Sequence, residues 1–130
     1  MDPVINDRQL RSVMLLDPPK RYSYFVKKVA DWETVWGLYF KGWALTETPQ
    51  GRTVFPLWPA KEFARVVARE EWEDYHPESI SLNEFIHDLL PKLDSDGILP
   101  GVFWVPKVGS VNTSVQQLIS DLKTEIGRIE

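Results

Sequence analysis

The 130-residue chain contains no cysteine. That absence removes disulfide staples, thiolate zinc ligation, iron–sulfur clusters and a cysteine nucleophile together. A reducing cytoplasm is the expected compartment. No run approaches the roughly 20 apolar residues that a membrane span requires. The opening stretch MDPVINDRQLRSVMLLDPP has no basic segment followed by an apolar one, so neither secretion nor membrane insertion is expected. Seven glycines are scattered without a dinucleotide fingerprint, and none heads a GK[ST] phosphate loop. A GxSxG nucleophile elbow is also missing. In VGSVNTS, residues 108–114, the hydroxyls of Ser110, Thr113 and Ser114 are read as turn and capping groups.

Positive charge is in short supply. Fifteen Lys and Arg face nineteen Asp and Glu, giving a formal charge of −4 and pI near 5.2. Nucleic-acid binders draw most of their affinity from a basic face that neutralises phosphates, so a nucleic-acid partner is not expected. Lys20, Arg21, Lys27 and Lys28 form the densest basic group and are read as the solvated outer face of a helix. Histidine is equally scarce, with only His76 and His87. Any metal site would have to draw on carboxylates for its remaining ligands. His87 reads as a solvated helix residue. His76, in EEWEDYHPE, has Glu70, Glu71, Glu73 and Asp74 close by, enough oxygen for a hard cation or acid–base chemistry. The blander reading, the exposed end of a helix running into a loop, is preferred. No catalytic residue, metal ligand or cofactor is assigned.

What the chain does have is a core and aromatics. At 43% hydrophobic and 26% charged it suits one soluble domain, long enough to bury roughly two thirds of its unfolded surface. Asn6 or Asp7 suits the cap of a short peripheral helix carrying Leu10, Val13 and Met14. Residues 1–16 are read as an extension and 17–130 as a single domain. Asp17 and Pro18 open a second helix striped by Tyr22, Phe25, Val26, Val29 and Ala30. From Thr34 the period changes to two, placing Trp36, Leu38 and Phe40 on the core face. A Lys41-Gly42 turn returns the chain through Trp43 to Leu45, and TETPQG leads to a third strand, RTVFPLW, closing an antiparallel meander. Pro56 puts that strand's end at a sheet edge or just outside pairing.

Pro59 opens a helix with Phe63, Ala64, Val66 and Val67. Ser81-Leu-Asn-Glu84 matches a capping box ahead of a stripe from Leu82 to Leu93, with Pro91 bending its last turn. A fourth strand follows over 98–105. Thr113-Ser-Val-Gln116 then offers a second box before Val115, Leu118, Ile119, Leu122, Ile126 and Ile129. Clustered strands argue for an α+β fold, a small mainly antiparallel sheet of a three-stranded meander plus a fourth strand, covered by four to five helices.

Six tryptophans in a chain that is 12% aromatic invite the question of ligand platform or core. Trp36 is read as core. Trp43, beside a turn, and Trp58, between Pro56 and Pro59, are the rings best placed to leave a sheet end and anchor a partner. Three functions compete. The leading expectation is a non-catalytic binding module for another protein, as a regulator or an antitoxin-like immunity factor. The second is a small-molecule binder with a groove between the meander and the helix after Pro59, walled by Trp58 and anchored by Lys61. The third is a hydrolase or metal-dependent enzyme centred on His76.

Taken together, RYSYFVKKVADWETVWGLYFKGWAL, GRTVFPLWPAKEFA, PESISLNEFI and LDSDGILPGVFWVP resemble the small bacterial family called domain of unknown function 2750. The specific part is the WGL…GWAL hairpin followed by P-x-W-P and an aromatic-Ala helix start, with Trp72 further on. The resemblance runs from about Arg21 through the last helix. It implies a bacterial source and brings no assigned activity, cofactor or catalytic residue.

Overall fold

Asp17 is extended, with ψ at 152°, and Pro18 and Pro19 follow it where a helix has no use for amide protons. The helix α2 (Pro18–Trp32) starts there in the computed structural model, which describes residues 5–68 and 72–129, apart from the side chain of residue 129. Ahead of it α1 (Asp7–Met14) is capped by Asn6, whose Oδ1 accepts the Gln9 amide at 2.8 Å. The short helix is not merely peripheral, because Ile5 and Val13 join the main core.

One residue of α2 departs from expectation. Arg21 is 3% exposed, not solvated. Its Nη1 donates to the Leu16 carbonyl at 3.0 Å, while its Nε finds no partner among the described residues. Burial lowers its pKa, and Asp17 works in the opposite direction.

Residues 34–39 form β1 (Thr34–Tyr39), which pairs antiparallel with β4 (His76–Ser81) as a two-stranded ribbon. A second, mixed sheet has the order β2 (Thr46–Glu47), β3 (Thr53–Leu57), β5 (Leu99–Val105), β6 (Gly109–Asn112). Only the β3–β5 pair is parallel. The expected three-stranded meander is therefore not formed. Trp43 makes an isolated bridge to Tyr39 rather than starting a strand, and β3 lies beside β5. The strand β4 was hidden because only Ile80 in HPESIS is buried, and Pro77 marks an edge. β6 was hidden by the hydroxyl-rich sequence that suggested a turn.

Helices cover the sheets. α3 (Lys61–Val67) buries Phe63, Ala64 and Val67 and packs on β1 and β4. Ser81 Oγ accepts the Glu84 amide at 3.1 Å, the hydroxyl half of the anticipated capping box. α4 (Leu82–Glu84), a π-helical turn (Phe85–Leu89) and α5 (Leu90–Asp96) then run on without a break. The wide turn lies just before Pro91, whose ring would otherwise press on the His87 carbonyl. In α6 (Val115–Ile129) the cap is one residue later than expected: Ser114 Oγ accepts the Gln117 amide at 3.0 Å. Val115, Leu118 and Leu122 are buried, and α6 packs on α2. Among the described residues no helix is long and apolar enough to cross a membrane.

The two sheets meet at tryptophan. Trp36 and Trp58 exchange both backbone hydrogen bonds, at 2.9 and 2.8 Å, so the end of β3 clips onto β1. On the other side of β3, a bulge in β5 between Val102 and Val105 turns Phe103 to a φ of 53°. A bulky residue there costs about 1–3 kcal/mol of strain. Packing holds it: the Phe103 ring is fully buried, 4.8 Å from Phe63 and 6.2 Å from Tyr24.

Candidate functional site

The tryptophans divide into an enclosed group and a half-open one. Trp58 is 0% exposed. Its Nε1 donates to the Trp104 carbonyl at 2.8 Å, and its ring lies 6.3 Å from Trp72, which meets Trp104 edge-on at 4.8 Å. The indole N–H, the group most costly to bury unpaired, is thereby satisfied inside the core. Trp58 does not project from a sheet end in this structure and cannot wall an open groove. Lys61 stands half-buried at the start of α3, without Trp58 beside an opening.

Trp43 is placed differently. Gly37 has no side chain, and Trp43 lies in the space: a Cβ on Gly37 would be 2.9 Å from its Cζ3. Phe55 flanks the indole at 5.5 Å and Tyr39 meets it edge-on at 5.2 Å. The ring is half-buried, with its remaining surface at the end of the β1–β4 ribbon. This packing also corrects the expected phase of β1. Val35, Gly37 and Leu38 are buried, while Trp36 is half-exposed and Phe40 is exposed. Trp43 covers the Gly37 face and the core takes Leu38, so the period-two reading fails at the glycine.

Around Trp43 the ribbon end carries further apolar groups that the sequence reading did not place at the surface. Phe40 is 42% exposed, with its ring 5.8 Å from Tyr75, and Leu45 is 46% exposed. Lys41 Nζ lies 5.3 Å from the Phe40 ring centre. The turn itself is well tied. Phe40 N–H donates to the Gly42 carbonyl at 2.9 Å and Ala44 N–H to the Leu38 carbonyl at 2.8 Å. Lys41 takes the left-handed conformation, with φ at 59°, and Gly42 follows it with a positive φ of 159°. Adjacent residues of a strand point to opposite faces, so Tyr39 with Trp43 and Phe40 with Tyr75 furnish the two sides of one ribbon end. The signal that could have found them was the crowding of four aromatics and a leucine into residues 39–45 and 75.

His76 pairs with Tyr39 at that same end, exposed, its Nε2 3.3 Å from Glu78 Oε2. Glu73 and Asp74 are exposed, and Glu70 and Glu71 lie outside the described residues. Among the described residues there is no group of three His, Asp or Glu side chains able to hold a metal. His87 is exposed on its helix, as anticipated.

A family model described as "Protein of unknown function (DUF2750)" matches residues 22–122, which spans both sheets and the first half of α6. No curated protein and no solved structure matches the chain.

Proposed function

The chain belongs to this family of unknown function, and from its surface we propose that it is a non-catalytic binding module, a regulator or immunity-like factor that docks another protein in the bacterial cytoplasm. The observation that carries the reading is the ribbon end, where half-buried Trp43 and Tyr39 on one side and exposed Phe40 on the other flank a turn held by its own backbone, with exposed Leu45 following in the chain. Aromatic anchors partly seated in their own protein contribute most to protein–protein affinity, because little side-chain freedom is lost on docking. The acidic overall charge and the absence of thiols support a cytoplasmic protein partner over nucleic acid.

The test is affinity capture from native cell extract with the wild-type chain and with a Phe40→Ser/Trp43→Ala variant whose folded state is checked by near-UV circular dichroism. A stoichiometric partner captured by the wild type and lost by the folded variant is the expected result. A partner retained at equal affinity by the variant overturns the assignment of the ribbon end.

A further inference from the structure

A second surface, distant in sequence from the ribbon end, has a different chemistry. α2 and α6 bound a cleft of about 610 Å³, within the range of small-molecule sites. Leu16, Tyr22, Tyr24 and Val26 contribute its apolar wall, and Lys20, Lys27 and Arg128 its cations. Such a grouping is unexpected on a chain of net charge −4.

The acids of the cleft are already engaged. Asp121 accepts the Tyr22 hydroxyl on one oxygen and Gln117 Nε2, at 3.0 Å, on the other. Glu125 Oε2 holds Arg128 Nη1 at 3.2 Å. The ion pairs among the described residues are His76–Glu78, Lys92–Asp96 and Arg128–Glu125, so Lys20 and Lys27 have none. Both are exposed, and they are seven residues apart on α2, two turns on the same side and about 10 Å along the axis. Lys28, by contrast, is drawn away over the Tyr24 and Trp32 rings, at 5.7 and 5.4 Å. Two ammonium groups with no ion pair among the described residues therefore flank an aromatic-walled cleft whose carboxylates are already engaged by Tyr22, Gln117 and Arg128.

We propose that the α2–α6 cleft binds a small organic anion with a planar apolar body, its acid group met by Lys20 and Lys27 and its ring by Tyr22, Tyr24 and Val26. Phosphate, sulfonate and carboxylate forms share this chemistry. The site is independent of the ribbon end, and either assignment can fail alone.

The probe is 1-anilinonaphthalene-8-sulfonate, an aromatic sulfonate, titrated into the full chain by fluorescence at low salt. Saturable 1:1 binding is expected, weakened at least tenfold in Lys20→Ala/Lys27→Ala and unchanged in Lys107→Ala, whose site lies in the β5–β6 turn. The uncharged N-phenyl-1-naphthylamine should bind at least tenfold more weakly than the sulfonate. Both lysines are exposed, so the double variant should keep the wild-type melting temperature. Equal sulfonate affinity in the double variant, binding lost only in Trp43→Ala, or no saturable binding at all would each overturn the proposal.

Discussion

Trp58 and Trp36 share a reciprocal pair of backbone hydrogen bonds while their side chains go to opposite environments, one fully enclosed and one half in solvent. Through Trp58 the ribbon β1–β4 and the sheet β2-β3-β5-β6 become parts of one core. The Trp58 indole continues the connection to β5 through the Trp104 carbonyl.

Trp58→Ala should be among the most damaging single changes in the chain, costing about 3–5 kcal/mol. Trp58→Phe keeps most of the volume but leaves the Trp104 carbonyl without its donor, a loss of about 1–3 kcal/mol. Urea midpoints at constant m-value measure both. Trp43→Ala, which empties a half-open site, should cost clearly less than Trp58→Ala, and the reverse order would refute the division between enclosed and half-open tryptophans.

Gly37 and Trp43 should be energetically coupled. A methyl at position 37 meets the indole at 2.9–3.0 Å, so Gly37→Ala should destabilise by about 1–3 kcal/mol. In a Trp43→Ala background most of that penalty should vanish. A double-mutant cycle reads the difference directly, and a coupling energy near zero would mean that the ring does not lie over the glycine.

Alkaline stability should depend on Tyr22. Burial raises its pKa above the ordinary phenol value of about 10, and the hydrogen bond to Asp121 and that residue's charge act in the same direction. The folded state thus holds the phenolic proton more tightly than the unfolded chain. The stability this contributes is complete below about pH 10 and falls as pH rises beyond it. Tyr22→Phe should cost about 1 kcal/mol at neutral pH through loss of the bond, and its stability should fall less steeply than wild type between pH 10 and 11. Parallel denaturation curves across that interval would sink the attribution.

The candidate surface was half legible. Trp43 was identified because it sits beside a turn, and local chemistry is enough to place a turn. Trp58 between two prolines carried the same signal, yet β5 supplied a carbonyl for its indole and Trp72 and Trp104 closed over it. Phe40 was assigned to the core by alternation. That alternation presumes a side chain at every position, and Gly37 let Trp43 in from outside the strand.

Helices are legible in the sequence because their determinants are local: a cap, a proline in the first turn and an apolar stripe repeat within a few residues. The Asn6 and Ser81 caps, the stripe of α2 and that of α6 needed nothing else. Strand pairing depends on partners distant in the chain. The parallel match of Val54 with Leu99, the recruitment of HPESIS to β1, and the burial of Arg21 follow from which surfaces meet in three dimensions. The sequence by itself determined the α+β class, the helices and the aromatic stock. Tertiary packing decided which rings stayed at the surface, because one-dimensional periodicity records which face of an element is apolar but not what will cover it.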